Sequence, residues 1–427
     1  MHGTWHRARV PPAPHPIARA VLPVVLDALR TFRVVAITGP RQAGKTTLAR
    51  EILSRRAGTF LSLDDDEVLA GLEADPRTFL DREGLVVLDE FQRGGERVLR
   101  AIKRLVDDAP RKGRFLLTGS TRFLTVPTLS ESLAGRVALV DLWPLSQGER
   151  IGVTDRFVDR VFGPSDALRG ARHTRRTRGE TLEAVCAGGF PELLDATPSV
   201  RERWYGSYVR TVTRRDVPEI SNVHRVDALA RILELLAART AQELNVAALA
   251  VATRTPESTL ASHLGLLETV HLWHRLPAWS KSLTQKAVRH PKAHFVDSGL
   301  AAHLLRVDAS ALAIPGAPAL GPLLETFAVG EIARQATWSK VHAELRHFRD
   351  RDGLEVDLVL EARDGRVALV EVKASVSVET RDLRPIERLG EKLGSQLAHG
   401  VLLYLGQEVV PLGPRRTALP ISALWAP

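Results

Sequence analysis

The sequence predicts an α/β protein that has three parts in chain order. Apolar strands alternate with helices over residues 17–160, which is typical of a parallel sheet. Residues 221–285 predict two helices joined by a turn and then an extended stretch, which is the order of a winged helix. Residues 286–427 contain a helical pattern followed by four strand patterns. They predict a second α/β domain.

Two further segments are expected to carry less regular structure. Residues 1–16 are rich in Pro, His and Arg, and we predict a flexible leader there. Residues 161–220 are predicted to be a basic loop with a helical extension. The stretch 163–180 is rich in arginine, which predicts a solvated loop, with phosphate binding as the alternative.

The composition favours a multidomain protein without disulfides. The chain has 427 residues, of which 44% are hydrophobic, and this length is large for a single core. The net charge of +9 permits a polyanionic partner such as DNA, although an arginine-rich composition alone would give the same charge. The single cysteine, Cys186, excludes a disulfide framework.

No targeting or membrane-spanning segment is apparent in the sequence. The N-terminus lacks the apolar stretch of a signal peptide. No window approaches the roughly 18 uncharged apolar residues that a transmembrane helix requires. We therefore expect a soluble, cytoplasmic protein that has no membrane partner.

A phosphate-binding loop follows the first apolar strand. The stretch "GPRQAGKT" fits the pattern G-x-x-x-x-G-K-S/T and opens a helix, which is the context that the motif requires. Glycines let backbone N–H groups surround phosphate oxygens, and the helix N-terminus adds partial positive charge. Residues 17–160 are therefore predicted to be a P-loop NTPase core. The residues predicted to contact the nucleotide are Gly39, Pro40, Arg41, Gln42, Ala43, Gly44, Lys45, Thr46, Thr47 and Ser120.

Two later strands end in polar residues that complete such a site. "LVVLDE" ends in Asp89, predicted to hold Mg²⁺ together with Thr46, and in Glu90, predicted to orient and deprotonate water. "LLTGS" offers Thr118 or Ser120 as a sensor of the γ-phosphate. ATP and Mg²⁺ are therefore the expected cofactors, and Lys45 is expected to neutralise the β- and γ-phosphates.

An arginine that contacts the transferred phosphate would complete the catalytic set. "LAGRV" supplies Arg136 shortly after the sensor strand. The alternative is that Arg136 is an ordinary surface residue in an arginine-rich chain.

The stretch "GLEVDLVLEARDGRVALVEVKAS" predicts a β-hairpin that turns near Asp364. Paired residue numbers should then sum to about 728, which places Asp357 opposite Glu371. Lys373 shares their face. Facing carboxylates repel unless a cation lies between them, so a divalent metal site and a salt-bridged exposed face are the two interpretations. Glu325, on the preceding helix, is a candidate third metal ligand.

The apolar residues of this hairpin should form its opposite, core-facing side. They are Val356, Leu358, Leu360, Val370 and Val372.

From about residue 17 to about residue 410, the chain resembles a large prokaryotic family of AAA-type ATPases fused to a C-terminal domain of unassigned function. The resemblance rests on "TGPRQAGKTTL", "VVLDEFQR", "FLLTGST", "LAGRV", "GGFPE", "RRDVPEI", "HFVDSGLA", "LLETFAVGEI", "EVDLVLE" and "VEVKAS". It implies an ASCE-type P-loop core, a winged-helix segment and a terminal fold similar to PD-(D/E)XK restriction endonucleases.

The resemblance also implies roles for particular residues. In the nuclease pattern a helix Glu, a strand Asp and an E-x-K motif form a metal site, here Glu325, Asp357, Glu371 and Lys373. AAA-type sites usually take an arginine from a neighbouring subunit, which makes a homo-oligomer plausible. Ala241 stands where members usually carry glycine.

Three functions are compatible with this sequence. The first is an ATP-driven enzyme that binds DNA and cleaves it with a divalent metal. The second is a nucleotide-dependent regulatory switch whose nuclease-like domain binds nucleic acid or protein without cutting. A small-molecule kinase is the weakest, because no acceptor-binding motif is apparent.

Overall fold

In a computed structural model, the described residues are 17–121, 133, 135–170, 175–221, 226–280 and 290–426. The predicted leader at residues 1–16 lies outside them.

The N-terminal domain is built on a five-stranded parallel sheet, as the sequence predicts. The spatial order is β2-β3-β4-β1-β5. Its strands are β1 Val34–Thr38, β2 Gly58–Ser62, β3 Leu85–Asp89, β4 Phe115–Gly119 and β5 Val137–Asp141. Its helices are α1 Leu22–Thr31, α2 Lys45–Ser54, α3 Asp66–Ala74, α4 Pro76–Leu80 and α5 Gly95–Asp108.

The three central strands of this sheet, β1, β3 and β4, are buried on both faces. Along β1, Val34 and Ala36 pack on the side of α5, whereas Val35 and Ile37 pack on the side of α1 and α2. A strand that is covered on both faces is apolar at every position, and β1 is buried throughout.

The strand order brings the predicted polar residues to one edge. β4 lies between β1 and β3 and is hydrogen-bonded to both. Because the strands are parallel, the loop after β1 and the ends of β3 and β4 meet at the carboxyl edge of the sheet.

A helical region follows the N-terminal domain. Its helices are α6 Gln147–Arg150, α7 Phe157–Val161, α8 Ser165–Arg169, α9 Arg178–Ala187, α10 Pro198–Thr211, α11 Val217–Ile220 and α12 Val226–Ala237. The arginine-rich stretch makes contacts that the sequence did not predict. The Arg176 guanidinium lies 5.2 Å from the ring centroid of Trp425, and Arg175 forms an exposed ion pair with Glu408.

A small antiparallel sheet accompanies the next helices. After α12 the elements are β6 Gln242–Glu243, α13 Val246–Thr253, α14 Glu257–Thr269, β7 Trp273–Leu276 and β8 Lys292–Phe295. β8 pairs with both β6 and β7. The winged-helix assignment stays a prediction, and for the order of its elements we call residues 226–295 the winged-helix-like unit. The predicted boundary at residue 285 falls between β7 and β8, which belong to the same sheet.

The turn before β6 explains the glycine that the resemblance implies at position 241. Ala241 has a φ of 62°, in the left-handed region. Its N–H donates to the Ala293 carbonyl oxygen at 2.7 Å, which fixes the turn against β8. An alanine in this conformation is strained by about 1 kcal/mol relative to glycine.

The C-terminal domain contains a six-stranded mixed sheet in the order β13-β14-β12-β11-β10-β9. Its strands are β9 Ala343–Arg349, β10 Glu355–Ala362, β11 Val367–Lys373, β12 Leu397–Tyr404, β13 Val410–Pro411 and β14 Arg416–Pro420. Its helices are α15 Ser298–Leu305, α16 Ala309–Ala313, α17 Leu320–Ala336 and α18 Arg384–Leu393. The hairpin register matches the prediction, since Leu358 pairs with Val370.

A β-bulge changes which face each residue of β10 occupies. Val356 pairs with Phe348 and Val359 pairs with Arg346, so two residues of β10 oppose one residue of β9. Val356 therefore packs with Val359 on the α18 side of the sheet, and Leu358 packs on the opposite side. The prediction that Val356 and Leu358 share a face is wrong for this reason.

One hydrophobic cluster joins the helical region, the winged-helix-like unit and the C-terminal domain. It includes Phe157, Leu233, Trp273, Phe327 and Leu403. These parts share a core instead of folding around separate ones. Among the described residues, no helix is both long and apolar enough to span a membrane.

Asp155 is buried near the junction between the N-terminal domain and the shared core. Ser146 donates to its carboxylate, and Trp338 Nε1 donates to its carbonyl oxygen at 3.1 Å. Burial, followed by the charge of Glu331, raises the pKa of Asp155 to about 8. The folded chain therefore holds a proton that the unfolded chain releases above about pH 4.

The free energy of unfolding should consequently fall as pH rises from about 4 to about 8 and level off above that, and Asp155→Asn should remove this component. Denaturant titrations measure the free energy of unfolding at about pH 6 and about pH 9. Between these pH values, that free energy should fall by on the order of 2 kcal/mol more in the wild type than in Asp155→Asn. The exposed Asp27→Asn variant is the control and should behave like the wild type. Equal losses in the wild type and Asp155→Asn would contradict the assignment.

Candidate nucleotide site and C-terminal carboxylate cluster

The loop between β1 and α2 needs both glycines of its motif. A Cβ atom on Gly39 would lie 2.0 Å from the Leu142 carbonyl oxygen, because the loop passes close to the end of β5. Gly44 has a φ of 93°, which side chains disfavour. The backbone conformation of the loop therefore requires glycine at both positions, independently of any ligand.

Lys45 points back into the loop. Its Nζ donates to the carbonyl oxygens of Gly39 at 3.0 Å and Pro40 at 2.8 Å. Burial lowers the pKa of Lys45 to about 8, and the charges of Glu90 and Asp89 oppose that shift. The ammonium is thus held where a phosphate chain in the loop would meet it.

Three oxygen-bearing side chains converge beside Lys45. Thr46 Oγ1 lies 2.9 Å from Asp89 Oδ2, and Thr118 Oγ1 donates to Asp89 Oδ1. Hydroxyl and carboxylate oxygens are the ligands that Mg²⁺ prefers. Thr46 and Asp89 therefore fit the predicted metal site, and Thr118 positions Asp89.

Glu90 is held in an unusual conformation immediately after β3. Its φ is 51°, in the left-handed region, which is sparsely populated by side chains other than glycine. Its Oε2 accepts from Gln92 Nε2 at 2.5 Å and lies 3.4 Å from Ser120 Oγ. Sequence reasoning named Glu90 and Ser120 as candidates but gave no role to Gln92, although the quoted stretch "VVLDEFQR" contains it.

A cavity of about 720 Å³ adjoins the loop. One wall is formed by Gly44, Thr47 and Leu48 of the N-terminal domain, and the opposite wall by Pro191 and Val200 of the helical region. The sequence did not predict this cavity, because its walls come from segments far apart in the chain.

Arg19 supports the loop from outside, and sequence reasoning missed this residue as well. Its guanidinium donates to the Ala43 carbonyl oxygen at 2.7 Å and to Glu149 Oε1 at 3.0 Å. Its position before α1 gives no local signal of this role.

The C-terminal carboxylates also come together, but protein donors satisfy them. Asp357 Oδ2 accepts from the Val372 N–H at 2.9 Å, and the Asp357 N–H donates to Glu371 Oε2 at 3.4 Å. Lys373 Nζ donates to Glu371 Oε1 at 2.7 Å. Burial, followed by the charge of Asp357, raises the pKa of Glu371 to about 8.

A second lysine, which sequence reasoning missed, lies among the remaining acids. Lys292 Nζ is 2.7 Å from Glu325 Oε1, 2.6 Å from Glu355 Oε1 and 3.3 Å from Asp357 Oδ1. We call Glu325, Glu355, Asp357 and Glu371 the carboxylate cluster. Within the described part of the chain, no group of three or more acidic, histidine or cysteine residues is arranged to hold a metal ion. In this arrangement lysine ammonium groups bind Glu325, Asp357 and Glu371, and metal binding by this set stays a prediction.

Comparison with known proteins identifies the first of the three parts. Residues 31–151 match the family model described as an AAA domain. The N-terminal domain is thus similar to AAA-type P-loop domains, and we call it the AAA-type domain. Residues 179–311 and 320–424 match two domains of unknown function, DUF8612 and DUF4143.

Similar proteins are known from bacteria and archaea. Uncharacterized proteins of Mycobacterium tuberculosis and Mycobacterium bovis are each 29% identical over 400 residues, which is 93% of this chain and 82% of the relative. A Walker-type ATPase of Pyrococcus abyssi is 16% identical with a TM-score of 0.40, covering 66% of this chain and 94% of its own. A RuvB structure from Thermotoga maritima is 18% identical with a TM-score of 0.26, covering 60% and 87%.

The AAA-type domain contacts the helical region through its phosphate-binding loop. Arg41 lies 3.1 Å from Asp216 Oδ1, and the Asp216 side chain is only 7% exposed. Asp216 ends a π-helical turn, Val212–Asp216, between α10 and α11. Such turns are rare and often mark functional sites. The helical region therefore contacts a residue that is predicted to bind nucleotide.

Arg136 lies at the opposite edge of the AAA-type domain. It directly precedes β5, and its carbonyl oxygen accepts from the N–H of Val34 at the start of β1. Its guanidinium pairs with Asp107 at 2.6 Å. This edge faces away from the chain's own phosphate loop, so a contact between Arg136 and phosphate would have to come from a neighbouring copy.

Proposed function

We propose that this chain is an ATP-hydrolysing regulatory switch. The observation that carries the proposal is the placement of Lys45, Thr46, Asp89 and Glu90 at one edge of the parallel sheet. Lys45 binds the loop, Thr46 contacts Asp89, and Glu90 directly follows Asp89. This arrangement suits a bound triphosphate, with cationic, hydroxyl and carboxylate groups each placed for a different task.

Each residue of the site has a distinct role in the proposal. Lys45 exchanges its bonds to loop carbonyl oxygens for bonds to phosphate oxygens, which are stronger because the acceptor is then charged as well as the donor. Thr46 and Asp89 would hold Mg²⁺, which neutralises phosphate charge when bound. Glu90, held by Gln92 and beside Ser120, orients the attacking water and accepts its proton.

The adjoining cavity is the proposed site of the nucleobase. It begins at Thr47 and Leu48, directly beyond the residues assigned to phosphate and metal. Its volume of about 720 Å³ is in the range of small-molecule pockets. Because the helical region forms its opposite wall, ATP in this position would contact both regions at once.

The switch is preferred to a DNA-cleaving enzyme because of the carboxylate cluster. The net charge of +9 and the winged-helix-like unit support DNA as a partner. Cleavage would need a divalent metal among acids that Lys292, Lys373 and backbone N–H groups already bind. Nucleotide state would instead be communicated through the Arg41–Asp216 pair and the cavity wall.

Lys45→Ala should weaken ATP binding by roughly 10- to 100-fold, because it removes a charge-assisted contact. Binding is measured by calorimetry with Mg²⁺ on the full chain, and turnover by phosphate release. Lys112→Ala, an exposed lysine at the other edge of the sheet, is the matched control and should leave both unchanged. Unchanged binding in Lys45→Ala would overturn the proposed nucleotide site.

The same preparations distinguish the switch from a nuclease. We expect supercoiled DNA to stay intact with Mg²⁺ or Mn²⁺, with and without ATP. Cleavage by the wild type that is lost in the Asp357→Ala/Lys373→Ala variant would contradict the proposed switch and indicate a nuclease.

A further inference from the structure

Lys292 is a buried lysine whose charge is balanced by three acids. Its side chain is 1% exposed, and its Nζ is within 3.3 Å of Glu325, Glu355 and Asp357. Burying an ammonium is costly unless it is paired and hydrogen-bonded. These three carboxylates supply the pairing, and their mutual repulsion would be large without the cation.

The cation and the acids come from different parts of the fold. Lys292 begins β8, where it pairs with Leu276 of β7 and Glu243 of β6 in the winged-helix-like unit. Glu325 lies on α17, and Glu355 and Asp357 lie on β10 of the C-terminal domain. The lysine therefore reaches from one unit into the carboxylate cluster of the other.

Neighbouring contacts hold the two units together around this ion pair. The Trp279 N–H donates to the His347 carbonyl oxygen at 2.6 Å, and the His347 N–H donates to Pro277 at 2.9 Å. Arg349 lies 3.5 Å from Glu243 and 3.6 Å from Glu355. Lys292 would leave the acids only if this interface opened.

The ammonium and a divalent metal would compete for the same oxygens. Mg²⁺ lies about 2.1 Å from its carboxylate ligands and demands regular geometry. Lys292 Nζ already lies within hydrogen-bonding distance of Glu325 and of Asp357 Oδ1, and Val372 binds the other Asp357 oxygen. A metal ion there would meet a second positive charge at close range.

We propose that Lys292 is the resident cation of the carboxylate cluster and holds the winged-helix-like unit on the C-terminal domain. The cluster accepts a divalent metal only when Lys292 is withdrawn from it. The cluster is thus a latent metal site that an internal lysine keeps closed. This proposal is independent of ATP hydrolysis in the N-terminal domain.

Mn²⁺ binding to the nucleotide-free full chain tests the proposal, with free Mn²⁺ measured by electron paramagnetic resonance. The wild type and Asp357→Asn should give the same free Mn²⁺ signal. Lys292→Ala, which removes the charge and leaves space, should bind one Mn²⁺ per chain at least about tenfold more tightly than the wild type. Lys292→Ala/Asp357→Asn should lose that site. The proposal would be overturned if the wild type bound Mn²⁺ and Asp357→Asn removed that binding. It would also be overturned if a folded Lys292→Ala chain bound no more Mn²⁺ than the wild type.

If Lys292→Ala does not fold, thermal unfolding of the wild type with Mn²⁺ tests whether Lys292 excludes the metal. A ligand that binds only the folded state raises its melting temperature. Mn²⁺ should therefore shift the wild type no more than it shifts Asp357→Asn. A larger shift in the wild type would show that the metal binds despite Lys292 and would overturn the proposal.

Discussion

Replacing Glu90 by Gln is expected to leave ATP binding intact and to lower its turnover by about 10²- to 10⁴-fold, the usual contribution of a general base. The amide keeps the shape of the side chain but cannot take a proton from water. Thr46, Asp89 and Lys45 are untouched, so the contacts assigned to phosphate and metal remain. The effect should therefore be on kcat, with little change in nucleotide affinity.

The measurement combines phosphate release with nucleotide binding on the same protein. Glu96→Gln, an exposed glutamate at the start of α5 that pairs with Arg100, is the control and should match the wild type. A Glu90→Gln chain that still hydrolyses ATP at the wild-type rate would remove Glu90 from the mechanism. Loss of binding in that variant would instead indicate that Glu90 holds the loop, through the charge it places near Lys45.

The placement of the candidate nucleotide-site residues at one sheet edge could be predicted from sequence because each part is local. The loop, "LVVLDE" and "LLTGS" each join an apolar strand to polar residues, and parallel strands bring such ends to one edge. The register of the C-terminal hairpin could also be predicted, because a single local turn sets the pairing of its two strands. The features that the sequence did not predict depend on contacts between distant parts of the chain. Gln92 lies within "VVLDEFQR", but the stretch does not show that its side chain would contact Glu90. Arg19 precedes a helix whose sequence does not indicate the loop that Arg19 supports.

The C-terminal site shows the limit of this reasoning most clearly. A hairpin pattern can place Asp357 opposite Glu371, but it says nothing about a lysine from β8. Lys292 lies 65 residues away from Asp357 in the chain, and only the packing of the winged-helix-like unit brings them together. The bulge in β10 could not be predicted from the sequence either. One extra residue moves Val356 to the other face of the sheet, but the apolar pattern of the sequence does not reveal it.

Loss of the Arg334 side chain should weaken the fold strongly. It is 4% exposed and lies on α17. Its guanidinium donates to the carbonyl oxygens of Pro144 at 2.9 Å and Val296 at 3.3 Å. It also lies 3.5 Å from Glu331 and 4.0 Å from Asp297. One cation thus joins the segment that leaves the AAA-type sheet to the shared core.

Arg334→Met should lower the free energy of unfolding by about 3–5 kcal/mol, because it leaves buried acids without their cation. Methionine fills much of the volume, so the loss reports charge and hydrogen bonding more than a cavity. Denaturant titration followed by circular dichroism measures it, with the exposed Arg388→Met on α18 as the control. Glu331 retains the Gln147 N–H at 2.8 Å, and Asp297 retains the Gly189 N–H at 2.6 Å. If these bonds suffice, the loss will be within about 1 kcal/mol of the control, and the two regions would then be joined by apolar packing and not by Arg334.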